Sequence, residues 1–288
     1  MKKKYLFPLV VILIIFTLAC SLFNPEILSD SEAAPPEEAP AESTSKSVPV
    51  GGPSDNPCNN VFYPLVPGSQ LVYKTDTPEG ESQIGITVAS VDGSEATVDM
   101  LDISTGFITQ STISCDAGAI KQYPLVTMDT IFGDMVSGTL NMDYVSGVIA
   151  PAEETLVSNN WNMAWVSEYI MNGEMTFSAE GETTNIVIND SPVVMNWSVI
   201  STGQTITVPA GIFTNIVEVK REMSMEISMD MGVMMVDSTL ILESTHWFEP
   251  YLGMVKMTVD STNVQYQSMT FPIASDETME LIEFNKAE

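Results

Sequence analysis

Alternation with a period of two is the feature that most constrains what this 288-residue chain can fold into. Gln83–Val91 alternates apolar and polar residues, turns at Asp92-Gly93-Ser94, and resumes at Ala96–Leu101. The pattern recurs at 107–114, 183–188, 193–200, 204–208, 215–221, 238–242, 254–259 and 263–271. Successive side chains of a strand point to opposite faces, so such segments bury one face and wet the other. Thr, Val, Ile and Met dominate them, and turn residues recur about every ten positions, the rhythm of a sandwich or barrel. The expected fold is all-β, a sandwich or barrel. One helix is expected over Glu153–Met171, where Trp161, Trp165 and Tyr169 lie four apart and would share a face.

Charge decides what the folded part does not bind. Ten Lys+Arg stand against 38 Asp+Glu, a net of −28. Neutralising phosphates requires a basic surface, so nucleic acid is excluded as a partner. The chain has one histidine, His246, and one arginine, Arg221. Multi-histidine metal sites and arginine clusters are excluded with them.

The N-terminus carries a different kind of information. Lys2-Lys3-Lys4 precede an apolar run from Tyr5 to Ala19, interrupted by Pro8 and Thr17. The run is shorter than the about 20 residues a spanning helix needs, and reads as the apolar core of a signal peptide. It ends in Thr17-Leu18-Ala19-Cys20, which resembles a bacterial lipobox with Thr17 where Leu is usual. That resemblance implies cleavage before Cys20 and acylation of that residue, with a diacylglycerol group on its sulfur as a thioether; an ordinary cleavage site or an uncleaved anchor are the alternatives. Each buried CH₂ contributes about 0.8 kcal/mol, and stable anchoring takes two chains or more. The acidic chain is repelled by anionic lipid, so acyl groups rather than a basic patch would hold it to a membrane.

Residues 20–57 form the expected tether. From Ser21 to Pro57 there are seven prolines, seven acids and one lysine. Such a composition buries little apolar surface, and its prolines oppose helix and sheet alike. Residues 58–288 form the expected domain, with 31 acids and six bases. Cys58 and Cys115 both fall within it. In an oxidising compartment pairing is the default, and closing that loop would stabilise by about 4 kcal/mol on the chain-entropy model; two unpaired thiols are the alternative.

No segment carries a recognisable catalytic signature. His246 is the one conventional general base, and no Gly-x-Ser-x-Gly elbow accompanies it. Carboxylate pairs for glycoside cleavage do not stand out among 38 acids. Met223, Met225, Ile227, Met229 and Met231 alternate with polar residues. They supply a strand face for the core, line a groove for an apolar ligand, or offer thioethers to Cu(I). No Asp-x-Asp-x-Asp-Gly loop for Ca²⁺ is present. Trp197, Trp247, Phe248 and Tyr251 are candidates for a sugar-stacking platform or for buried packing.

Three segments together resemble a family. They are Val61-Phe62-Tyr63-Pro64-Leu65-Val66-Pro67-Gly68-Ser69-Gln70-Leu71-Val72-Tyr73, Thr207-Val208-Pro209-Ala210-Gly211-Ile212-Phe213, and His246-Trp247-Phe248-Glu249-Pro250-Tyr251-Leu252-Gly253-Met254-Val255-Lys256. In this order they are similar to the TapB-like group of uncharacterised bacterial exported proteins and lipoproteins. Leu71 and Leu252 depart from its commoner residues. The resemblance implies a curved sheet like the half-barrels of bacterial lipoprotein carriers, and brings no active-site residues. Pro67-Gly68 and Pro209-Ala210-Gly211 also make sense as turns, and Gly253 as a bend before the strand from Met254. The expectation is an extracytoplasmic, lipid-anchored module without a cofactor. It is read as a non-catalytic binding or envelope-structural part with an apolar or amphipathic ligand as a possible occupant. A hydrolase or a polysaccharide binder stands as the alternative.

Overall fold

A computed structural model describes residues 56–77, 80–122, 136–179, 182–230, 235–273 and 277–286. The signal segment 1–19, the Cys20 lipidation site and nearly all of the tether lie outside the described residues. The alternating segments become strands β1 (Gln70–Thr77), β2 (Gly80–Asp92), β3 (Glu95–Asp102), β4 (Ile108–Asp116), β5 (Ala119–Ile120), β6 (Val136–Gly147) and β7 (Ala164–Ala179). They continue as β8 (Glu182–Val208), β9 (Gly211–Asp230), β10 (Met235–Glu249), β11 (Gly253–Tyr266), β12 (Met269–Ile273) and β13 (Thr278–Asn285). All pair antiparallel in one curved sheet ordered β5-β4-β3-β2-β1-β13-β11-β10-β9-β8-β7-β6, with β12 on β11. The all-β reading therefore holds, as one sheet rather than a two-sheet sandwich.

The sheet curves until its two ends touch. Ile120 of β5 pairs with Ala150, three residues beyond β6. Side chains seal the seam. Trp165 Nε1–H donates to the Ile149 carbonyl at 3.0 Å, and the Tyr169 hydroxyl donates to the Lys121 carbonyl at 2.5 Å. Curvature comes from bulges, which bend a strand by adding an unpaired residue. Four lie along β8, at 171/173 with β7 and at 199/201, 202/204 and 204/206 with β9. For this reason segments that alternate separately in the sequence, 183–188, 193–200 and 204–208, belong to one long strand.

The expected helix over Glu153–Met171 is corrected to one short helix, α1 (Glu153–Ser158), followed by β7. A spacing of four is even, so Trp165 and Tyr169 share a strand face as readily as a helix face, and both are buried there. Asn160 and Trp161 take φ of +51° and +58°, which ends the helix.

Residues 56–66 enter the inner side of the sheet and close one end of it. Cys58, Phe62 and Leu65 are buried, and Cys58 is bonded to Cys115 at the end of β4. Phe62 packs against Trp161, Trp165 and Phe248, with ring centroids 4.8 Å apart for the last. Burying each such side chain contributes about 1.5–3 kcal/mol. Asn60 organises the segment. Its Nδ2 donates to the carbonyls of Gly118 and Pro151 at 2.7 and 2.8 Å, and its Oδ1 accepts from the amides of Phe62 and Tyr63. Gly253 has φ +122°, and a Cβ there would lie 3.3 Å from Leu71 Cδ1, so the bend needs glycine.

Candidate functional site

Strand register sorts the inner face of the sheet into rows. Nearest the closed end, Val217 of β9 opposes Phe248 of β10, which in turn opposes Met254 of β11. The next row is Val199, Val219, His246, Met257, Met279 and Thr75. Then come Trp197, Arg221, Ser244 and Val259, whose amide donates to the Glu277 carbonyl. Beyond these lie Met195, Met223, Leu242 and Thr262, then Val193, Met225, Leu240 and Val264. The order is thus aromatic, polar and apolar.

The polar rows hold groups that water would normally solvate. Arg221, His246 and Glu277 are only 6, 3 and 6% exposed. Arg221 Nε–H donates to Ser244 Oγ at 3.0 Å, and Ser244 Oγ lies 2.9 Å from His246 Nε2. Assigning the serine proton to Nε2 satisfies it and leaves the imidazole proton on Nδ1. Burial, with the Arg221 charge adding to it, holds His246 well below its ordinary range, so the ring is neutral at pH 7. The guanidinium stands over the Trp197 ring, 5.6 Å from its centroid. Desolvation lowers Arg221 to about 10, leaving it a cation at neutral pH.

That cation differs from four lysines of the sheet. Lys74, Lys121, Lys220 and Lys256 each sit within 3.1 Å of a carboxylate. Among the described residues no carboxylate lies within 4.0 Å of Arg221. Glu277 feels its charge, which favours the ionised form, but burial dominates and pushes the carboxyl up to about 7. Burial also raises the Tyr63 phenol above its ordinary value, against a smaller pull from Arg221. On the same inner face, Nδ1 of His246 and Oε1 of Glu277 are buried without a hydrogen-bond partner among the described residues, as are the hydroxyls of Thr262, two strands from Arg221, and of Thr75, four strands from it. Leaving such groups unsatisfied costs about 1–3 kcal/mol each.

The candidates from the sequence distribute themselves unevenly. His246 is central. Met223 and Met225 are buried in the apolar rows, while the Met229 side chain and Met231 lie outside what is described. The four aromatics do not form one platform. Trp197 and Phe248 point inward, Trp247 takes the opposite face of β10, and Tyr251 sits in the turn after it. Its hydroxyl bonds to Glu153 of α1. Among the described residues no group of three or more His, Cys, Asp or Glu side chains is placed to hold a metal ion. Sequence reasoning missed Arg221, Ser244 and Glu277 as partners of His246. A signal for the first two existed: Val217, Val219, Arg221, Met223 and Met225 alternate, as do Leu240, Leu242, Ser244, His246 and Phe248, so each polar residue interrupts an inward apolar face.

Ser244 and His246 are in contact, no acid among the described residues bonds to His246 Nδ1, and Arg221 donates to the serine oxygen. No family model and no curated protein match the chain. Two solved structures are similar to it. One is a protein of YmcC-like fold from Bacteroides fragilis, assigned to export, with TM-score 0.45 and 15% identity over 79% of this chain and 100% of that one. The other is a protein from Parabacteroides distasonis assigned as a lipoprotein, with TM-score 0.44 and 18% identity over 78% of this chain and 99% of that one.

Proposed function

We propose that the chain is an extracytoplasmic bacterial module, anchored to a membrane through an acylated Cys20, whose sheet takes up an amphipathic ligand on its inner face. The anchor reading rests on the residues from Lys2 to Cys20, and kinship with the TapB-like group on the three segments that resemble it. The ligand reading is carried by one observation. A buried polar centre with unsatisfied groups adjoins two rows of apolar side chains on the same face. Purely structural packing gains nothing from that arrangement, because unpaired buried polar atoms destabilise a core.

Native mass spectrometry of the protein extracted from its own host tests the ligand reading. A co-purified amphipathic molecule is the expected result; protein recovered only at its ligand-free mass contradicts it. Labelling with radioactive palmitate should mark the wild type and spare Cys20→Ser, and equal labelling would remove the anchor. The Ser244–His246 contact supports a second reading, hydrolysis of an ester. Turnover of an ester panel that disappears in both Ser244→Ala and His246→Gln would establish it, and absence of turnover in the wild type would end it.

A further inference from the structure

We propose that the tip of the β3–β4 hairpin, from Ile103 to Ile108, inserts into the surface of the bilayer that holds the Cys20 acyl groups. This rests on the anchor reading above and adds to it a second point of contact with lipid, made by the folded domain itself.

The first observation is exposure. Ile103, Phe107 and Ile108 are 42, 69 and 58% exposed, and no other six-residue stretch of the described residues displays three large apolar side chains to solvent. Apolar surface gathered in water marks a contact site. Phe107 and Ile108 are consecutive, so they stand on opposite sides of the hairpin arm. A wedge that is apolar on both sides suits a fluid medium that closes around it better than the face of a partner protein. The second observation is order. The Asp102 amide donates to the Phe107 carbonyl at 2.9 Å, and the Ile103 amide to the Gln83 carbonyl at 3.0 Å. Asp102 Oδ1 accepts from the Ser104 amide and hydroxyl at 2.8 and 2.6 Å. A hydrogen-bonded turn therefore presents the apolar residues, and the carboxylate at its base is occupied by the turn itself.

The third observation is charge. From Ile103 to Cys115 the hairpin carries no Asp, Glu, Lys or Arg, in a chain of which 17% is charged. Charged side chains are costly in hydrocarbon, so this neutral stretch is fit to enter a bilayer where the acidic remainder of the surface is not. The fourth is reach. Cys58 is bonded to Cys115, so the tether joins the domain at the end of β4 opposite the tip. From Ile108 to Cys115 the strand covers about 24 Å. The 36 residues from Cys20 to Asn56 span at most about 120 Å. One bilayer can receive both the acyl chains and the tip.

The test uses the full-length protein, extracted from its host with its acyl groups and placed in phosphatidylcholine vesicles that contain nitroxide-bearing lipid. Thr105→Cys at the tip and Ser94→Cys at the other end of β3 each carry a nitrobenzoxadiazole fluorophore. Both labelled chains should float with the vesicles, and the nitroxide lipid should quench the tip label alone. Adding Phe107→Ser and Ile108→Ser to the tip-labelled chain should lower the ratio of docked to undocked tip about tenfold or more while flotation is unchanged. Both positions are exposed, so the fold survives the change, and the comparison of the two labels stands without it. A tip label quenched no more than the Ser94→Cys label, or quenched equally with and without the two serines, overturns docking and leaves the anchor in place. Vesicles that float without the protein remove the anchor and the docking together.

Discussion

Two polar clusters lie buried in this protein, and they are built differently. At Asn60, both amide donors and the carbonyl oxygen are matched, with four partners drawn from residues 62, 63, 118 and 151. Around Arg221, the guanidinium has no carboxylate in reach among the described residues, and Nδ1 of His246 and Oε1 of Glu277 have no partner among them. The first cluster ties the 56–66 segment to the far edges of the sheet, beside the Cys58–Cys115 bond. The second is joined by the Arg221–Ser244 and Ser244–His246 hydrogen bonds and leaves its remaining polar atoms unmatched. A satisfied buried network is a structural device, whereas an unsatisfied one is completed by water, an ion or a ligand.

The largest expected effect falls on the satisfied cluster. Asn60→Ala leaves two amides and two carbonyls without their partner, and should lower stability by about 3–5 kcal/mol in urea unfolding with the disulfide intact. A loss below about 1 kcal/mol would erase the contrast between the clusters.

Glu277→Gln should act with a pH dependence. Because the folded carboxyl is raised to about 7, the folded state holds a proton that the unfolded chain releases near its ordinary, lower value. That contribution is complete below the unfolded value and is lost as pH rises through about 7. The variant should therefore exceed wild type by about 1–3 kcal/mol at pH 8 and match it near pH 4. A difference independent of pH would show that Glu277 is not the buried acid described here. His246 works in the opposite sense, since a depressed histidine loses stability as pH falls below its unfolded value. The two partly cancel in the wild type between the ordinary values of Glu and His, so variant-minus-wild-type curves are the sharper reading.

The smallest effect belongs to Lys220, the sequence neighbour of Arg221 on the outer face. It pairs with Glu243 at 2.9 Å in partial exposure, and Lys220→Ala should cost about 0.5 kcal/mol, less at high salt. A loss comparable to that of Asn60→Ala would mean that the outer face carries more of the fold's energy than its exposure allows.

Much of the architecture was legible because alternation survives in the sequence wherever one strand face is buried. It misled at Trp161, Trp165 and Tyr169, whose spacing suits helix and strand alike. It also divided β8, whose bulges interrupt the pattern at 200, 203 and 205. The polar centre was half legible. Arg221 and His246 each break an inward apolar series, yet their neighbourhood depends on the register of β9 against β10. Glu277 carried no signal, because it precedes a strand and joins the row only through the bond from the Val259 amide.

Replacing Arg221 by Met and measuring unfolding of the ligand-free protein at pH 7.5 tests the central claim most directly. An unpaired buried cation held for a ligand predicts unchanged stability or a gain of up to about 2 kcal/mol. A loss of about 3 kcal/mol or more, as at Asn60, would contradict it and make Arg221 part of the scaffold.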